Sequence, residues 1–299
     1  MIVKHNGISY KKPKVFLLQH SGLGAAEFAG RTAYDSFDKS ENEIIKDANN
    51  IYSSNEVYNW SELNDIASKL NSIESSELLD SLSWVHHHHS VIELSNLTYL
   101  VKGTNRGVLQ EQARHRIQSL TVRSTRYTMS GIINAFTASL CCDSELGSKE
   151  WFRLIISEFD MFVTSDTDYN TIEIDTIWNK LFYQYLQLGH DEFIKLAVAK
   201  SSIGYLDVDM EDTDSMRKPE YVFNLLQNGK KKRNVGDSFK HIITDNFKCD
   251  LVFNMNLRSL KNYLTLRNSG AAYFQINWLA EEIIKCTPKK YLDLIVRRK

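Results

Sequence analysis

The sequence predicts an α+β fold, on three observations. Lys14-Val15-Phe16-Leu17-Leu18 is an apolar run of strand length and reads as a short buried strand. Asn96 to Lys102 (NLTYLVK) suits a second strand. Between and after them, apolar residues recur at helical spacing, most clearly in the last third of the chain.

In chain order, the first strand runs into Gly22-Leu23-Gly24-Ala25-Ala26-Glu27-Phe28-Ala29-Gly30, which opens a helix and imitates a dinucleotide-binding turn. The acidic partner of such a turn should end a second strand about 20 residues on, whereas Ser40 to Asn50 is polar and helical in pattern. A plain strand-to-helix connection is therefore expected. Residues 40 to 82 carry Leu63, Ile66, Leu70 and Ile73 at helical spacing in a polar background, which predicts surface helices and loops. After the second strand, Thr104 is placed to cap a helix running through Arg106 to Arg116.

Two amphipathic helices are expected between 150 and 200, one with Trp151, Leu154, Ile155, Phe159 and Phe162, the other with Ile177, Leu181, Tyr185 and Leu188. Both stripes read as core. Residues 205 to 237 are charged and hold Pro219 and Gly229, so an exposed loop is expected there. Its basic run, Lys230 to Arg233, has no interleaved aromatics and reads as a solvated face. Two helices close the chain. One covers about 257 to 268, and the other carries Ile276, Leu279, Ala280, Ile283 and Ile284 at i, i+3, i+4, i+7, i+8.

Composition narrows the function classes. The chain has 299 residues, 42% hydrophobic and 24% charged, enough for a sizeable core. No apolar run is long enough to span a bilayer, and the first residues lack the pattern of a secretory signal, so a cytoplasmic location is expected. Cys141, Cys142, Cys249 and Cys286 show no CxxC spacing, which argues against a structural zinc site and predicts reduced thiols. A formal net charge of −1 gives no general attraction to nucleic acid or to an anionic membrane. Any phosphate must be held by local charge.

That local charge is found in Arg114-His115-Arg116, followed by seven residues and then Ser124-Thr125-Arg126-Tyr127. Adjacent basic side chains repel one another unless an anion compensates them. Ser124, Thr125 and Arg126 add hydroxyls and a bidentate fork suited to another phosphate. Two anion sites so close in sequence point to a nucleotide beside a phosphorylated cofactor. On the helix from 257, Arg258, Asn262 and Leu266 share one face, and Asn256, Leu260, Tyr263 and Arg267 an adjacent one. Amide, guanidinium and aliphatic groups together fit a flat heterocycle with hydrogen-bonding edges.

RHR, seven residues and S-x-R-Y resembles the signature of the flavin-dependent thymidylate synthases, and Asn256 to Arg267 resembles the C-terminal helix of that family. His88, Ser90 and Glu93 lie upstream as in its H-x-S/T-x-x-E motif, and Arg31 to Ser36 is similar to its AAR-x-x-Y-x-S helix. The four blocks are collinear. They imply one domain over 1–299, a central twisted antiparallel sheet flanked by helices, and two stretches without counterpart around 37–85 and 140–235.

The resemblance further implies reductive methylation of dUMP to dTMP, with FAD relaying hydride from NADPH and 5,10-methylenetetrahydrofolate supplying the carbon, in a homotetramer with shared active sites. His88, Ser90, Glu93, Arg114, His115, Arg116, Asn256, Arg258 and Asn262 would form the FAD site. Glu111, Arg114, Ser124, Thr125, Arg126, Lys240 and Arg267 would hold dUMP. Arg267 would be catalytic, polarising the pyrimidine and favouring its N3-ionised form, a role suited to a guanidinium that stays charged. Ser124 has no adjacent general base in sequence and is assigned to binding.

The chain departs from the family pattern at Val122, Glu111, Leu94, Lys240 and Ile243-Thr244. A carboxylate at 111 near the base leaves open a cytosine nucleotide or another C5-modified pyrimidine as alternatives, and Val122 with Glu111 leaves open a non-catalytic homologue. His86-His87-His88-His89 raises a metal site, but four adjacent histidines cannot all point one way and no carboxylate or cysteine pattern completes it, so no metal is expected.

Overall fold

A computed structural model describes residues 2–5, 8–54, 59–124, 245 and 248–296. The helices expected between 150 and 200, the loop at 205 to 237, and Thr125, Arg126 and Lys240 lie outside the described residues. The chain divides into two compact units, one of 1–11, 103–107 and 122–249, the other of 12–102, 108–121 and 250–299. In the first, β1 (Ile2–His5) and β2 (Ile8–Lys11) form an antiparallel hairpin, with Ile2 opposite Lys11 and His5 opposite Ile8.

The second unit opens with β3 (Lys14–His20), α1 (Gly24–Tyr34), α2 (Glu43–Ser54), α3 (Trp60–Asn71) and α4 (Glu77–Trp84). There follow β4 (Asn96–Asn105), α5 (Arg106–Ala113), β5 (Ser119–Val122), β6 (Lys248–Asn256), α6 (Leu257–Arg267), α7 (Phe274–Cys286) and α8 (Lys289–Ile295). Short 3-10 turns cover Phe37–Lys39 and Val91–Leu94. The sheet order is β3-β4-β6-β5. β3 pairs antiparallel with β4, with a register shift between Leu17 and Gln19. Lys102 meets Asp250 and Thr98 meets Asn254, so residue numbers run in opposite senses along β4 and β6 as well.

Alternation places the core. Leu97, Tyr99 and Val101 of β4 and Leu251, Phe253 and Met255 of β6 are buried, with Tyr99 and Phe253 stacked at 5.1 Å between ring centroids. Leu260 and Leu264 of α6 and Ile276, Leu279 and Ile283 of α7 are buried too. A mixture of helix and antiparallel sheet is the α+β class expected.

Several local expectations change. β3 is not a buried strand: it lies at the sheet edge with Phe16 48% and Leu18 54% exposed, while α7 packs against it. Thr104 caps nothing, because the strand continues through the buried Thr104 and Asn105 and the helix starts at Arg106. That helix also ends at Ala113, short of Arg116. The Gln112 carbonyl accepts from His115 N (3.1 Å) and from the Gln118 side chain (2.7 Å), which tightens the last turn and supplies another donor. The stretch at 37–85 contributes core through the buried Ile45, Ala48, Ile66, Ile73, Leu79 and Leu82, as well as surface. β5, β6 and the seven-residue α8 are further elements.

The glycine-rich turn is a strand-to-helix connection, as its sequence context suggests. Gly22 has φ of +71°, and a Cβ there would lie 2.5 Å from the Asn71 backbone. A Cβ on Gly24 would lie 2.4 Å from the Leu70 carbonyl. Close approach of α3 requires these glycines, and no phosphate is needed to account for them.

Candidate functional site

Two helices that follow their strands without a loop residue between build the site. α5 follows β4 and α6 follows β6, and because the strands are antiparallel the helices set off from opposite ends of the pair. Their C-terminal turns meet: the Arg267 guanidinium at the end of α6 reaches Glu111 near the end of α5 and His115 just beyond it. At the other end of α6, Asn256 caps the helix, its side-chain oxygen accepting from Ser259 N at 2.8 Å. Leu257 N donates to the Ser95 carbonyl at 2.9 Å, which ties the helix start to the turn carrying Glu93.

A pocket of ≈ 870 Å³ opens along α6. Glu93, Arg114, His115, Arg116, Asn256, Arg258, Asn262 and Arg267 line it, all of them residues expected from the sequence. Arg258 forms an ion pair with Glu93. Arg114 and Arg116 are exposed and meet no carboxylate among the described residues. Uncompensated guanidinium groups on the wall of a cleft are suited to an anionic ligand.

His115 is held uncharged. An arginine N–H can only donate, so the 2.9 Å contact from Arg267 Nε makes His115 Nε2 the acceptor and leaves the ring proton on Nδ1. Burial, and then the Arg267 charge, push the His115 pKa down. Its ring packs edge-on against Tyr263, 4.7 Å away. Tyr263 and Leu260 are fully buried, so that face of α6 is core, and Leu266 is exposed at the pocket instead.

Other expected residues fall elsewhere. His88 points to Tyr34, with Nδ1 3.0 Å from the tyrosine oxygen, Ser90 is exposed and not part of the pocket wall, and Ser124 is exposed. Glu111 stands behind Arg267. Among the described residues no cluster of three or more potential metal ligands occurs.

The sequence reading missed His89 and Lys261. The Lys261 ammonium lies 3.1 Å from His89 Nε2 and 3.9 Å from the centroid of the Trp84 ring. Burial lowers the Lys261 pKa, and burial together with the neighbouring Lys261 lowers that of His89. Lys261 sits three residues after Arg258, a helical-spacing signal that was available in the sequence.

The family model described as "Thymidylate synthase complementing protein" matches residues 17–291. A flavin-dependent thymidylate synthase of Wolinella succinogenes is 25% identical over 277 residues, covering 93% of this chain and 94% of that protein. One from Helicobacter pylori is 26% identical over 218 residues, 73% of this chain and 79% of the relative. The fold is similar to the crystal structure of thymidylate synthase X from Helicobacter pylori with FAD and dUMP, at a TM-score of 0.54 and 20% identity, covering 95% and 97% of the two chains.

Proposed function

The chain belongs to the thymidylate synthase complementing protein family, and from that premise we propose that it is a flavin-dependent thymidylate synthase, a methyltransferase that converts dUMP to dTMP. The carbon comes from 5,10-methylenetetrahydrofolate and the electrons from NADPH. The observation that carries this reading is the convergence of the 114–116 turn and α6 on one pocket, each bringing groups that suit a flavin nucleotide. Relatives named for this activity over most of the chain length support it.

The donor set fits FAD. Arg114 and Arg116 supply charge for phosphate, and Asn256 and Asn262 supply amides for a heterocycle edge. Arg258 is oriented by its ion pair with Glu93. His88 and Ser90, which do not line this pocket, are proposed for the flavin from the family resemblance alone. When bound, the flavin supplies hydride transfer. The residues of the chain position the partners and polarise the pyrimidine. Arg267 directs its guanidinium to the base, and Glu111 stands behind it. Arg114, Ser124, Thr125, Arg126 and Lys240 are proposed for the nucleotide.

We assign the whole chain to one catalytic domain acting in the cytoplasm as a homotetramer with sites shared between subunits, and without nucleic acid or membrane partners. Among the described residues no helix is long and apolar enough to cross a membrane.

The purified protein is expected to bind FAD and to show flavin absorption that Arg116→Ala or Asn262→Ala abolishes. With NADPH and 5,10-methylenetetrahydrofolate it should form dTMP from dUMP and leave dCMP unchanged. Absence of both flavin binding and dTMP defeats the reading, and a methylated product from dCMP redirects it to a cytosine nucleotide.

A further inference from the structure

The segment from 89 to 95 lies along the first turns of α6 and is fastened to it at three points. Leu257 N donates to the Ser95 carbonyl, Arg258 pairs with Glu93, and Lys261 meets His89. Each step along the helix engages a residue earlier in the segment, so the two run in opposite senses. The third fastening also takes in α4. The Ser83 carbonyl, in the last turn of that helix, lies 3.0 Å from His89 Nε2 and 3.3 Å from Lys261 Nζ, and the two nitrogens are 3.1 Å apart. Backbone N–H groups of Val85 and His86 serve the Ser81 carbonyl, and that of His88 serves Leu82. The Ser83 carbonyl is met by side chains instead, one from the histidine turn and one from α6.

A carbonyl and two nitrogens so spaced accommodate one positive charge. The Trp84 ring, 3.9 Å from the Lys261 ammonium, and the carbonyl at the C-terminal end of α4 both favour a cation on the lysine. An ammonium can only donate, and a neutral imidazole has a lone pair to receive it. A second proton, on His89, would set an imidazolium against the ammonium at 3.1 Å. Glu93, the carboxylate on the pocket wall, is already taken by Arg258. Burial lowers the His89 pKa, the Ser83 carbonyl offsets part of that, and Lys261, His87 and Arg258 lower it further.

We propose that Lys261 and His89 are positioning residues of the flavin site, a clasp that fastens residues 89–95 and their Glu93 against α6 only while the His89 ring is neutral. This rests on the assignment of the pocket to a flavin and adds two residues of its wall that belong to none of the motifs read from the sequence. They act through others. Glu93 orients Arg258 at the pocket, and the start of α6, held by the same segment, carries Asn256.

The test is the affinity of the full-length, flavin-stripped protein for FAD between about pH 5 and 8, read by flavin fluorescence. Lys261→Met keeps an apolar stem against Trp84 and removes the ammonium. At the alkaline end it should bind FAD about tenfold more weakly than the unmodified protein. That gap should narrow by at least about threefold toward the acid end, where protonation of His89 has released the clasp in the unmodified protein as well. Titration of His115 is common to both proteins and cancels in their ratio. A ratio level across pH, which lost packing alone would give, overturns the proposal, as does equal affinity at the alkaline end. Should Lys261→Met fail to fold, His89→Gln decides, because its carbonyl accepts from Lys261 at every pH. On the acid side that variant should hold FAD at least about threefold more tightly than the unmodified protein, and equal affinities throughout overturn the proposal. If the unmodified protein binds no FAD at any pH, the flavin reading above fails. The clasp is then decided by the His89 ring titration in the NMR spectrum, which should move up toward the ordinary 6.5 in Lys261→Met. An unchanged titration there overturns it.

Discussion

His115 performs a task that an imidazolium could not. It accepts from Arg267, so its Nε2 lone pair must be free. Its pKa is lowered from the ordinary 6.5 by burial first and by Arg267 second. The unfolded chain therefore binds the proton more readily than the folded one, and stability is present above the ordinary histidine pKa and is lost as pH falls toward the depressed value. Thermal unfolding at mildly acidic and at neutral pH should show a lower Tm on the acid side. His115→Gln should shallow that slope, with His89, lowered in the same sense, accounting for part of what remains. An identical slope in the variant would remove His115 as its source. At this scale the RHR turn was legible because its two arginines, one on either side of His115, offer uncompensated charge suited to an anion. His89 was not: nothing local distinguishes four consecutive histidines, and the backbone decides, with His87 in the left-handed region at φ 55° and His88 directed to Tyr34.

The bounds of α6 were legible almost to the residue, and α7 was legible from its stripe Ile276 to Ile284, because an apolar stripe with a period of 3.6 has few alternative readings. β6 was not anticipated, although Cys249, Leu251, Phe253 and Met255 alternate as a half-buried strand should. α8 has only seven residues, too short for periodicity to declare itself. The start of α5 was misplaced because a threonine before a helical pattern looks like a cap wherever it stands, and here the strand ladder claimed it. The cap of α6 is real. Asn256→Ala should cost about 1 kcal/mol in denaturant unfolding, and Asn256→Asp should cost less because it keeps the acceptor. Equal losses for the two would mean that the bond to Ser259 N contributes little.

Across the molecule, the sheet and the site share one support. α6 presents Leu260, Tyr263 and Leu264 to the core and Arg258, Asn262 and Leu266 to the pocket. Leu260→Ala, at a position with no exposure, should destabilise by about 2–5 kcal/mol. It should also weaken flavin binding, although residue 260 lines no part of the pocket. Unaltered flavin affinity at that loss of stability would show the two faces to be independent. Strands and helices were readable from period and the antiparallel sheet from the family resemblance, whereas the packing that places Glu111 behind Arg267 depends on contacts between residues 156 positions apart, and local pattern does not encode these.

The joints between strand and helix have a consequence for how such a chain can vary. β4 passes into α5 at Asn105–Arg106 and β6 into α6 at Asn256–Leu257 with no spare residue in either joint. Adding or removing one residue there would rotate every following side chain by about 100° around the helix axis, turning the guanidinium and amide row into the interior. Substitution at these joints leaves the geometry adjustable, but length does not: the spacing between sheet and ligand-facing groups is counted in whole residues, as on a ratchet.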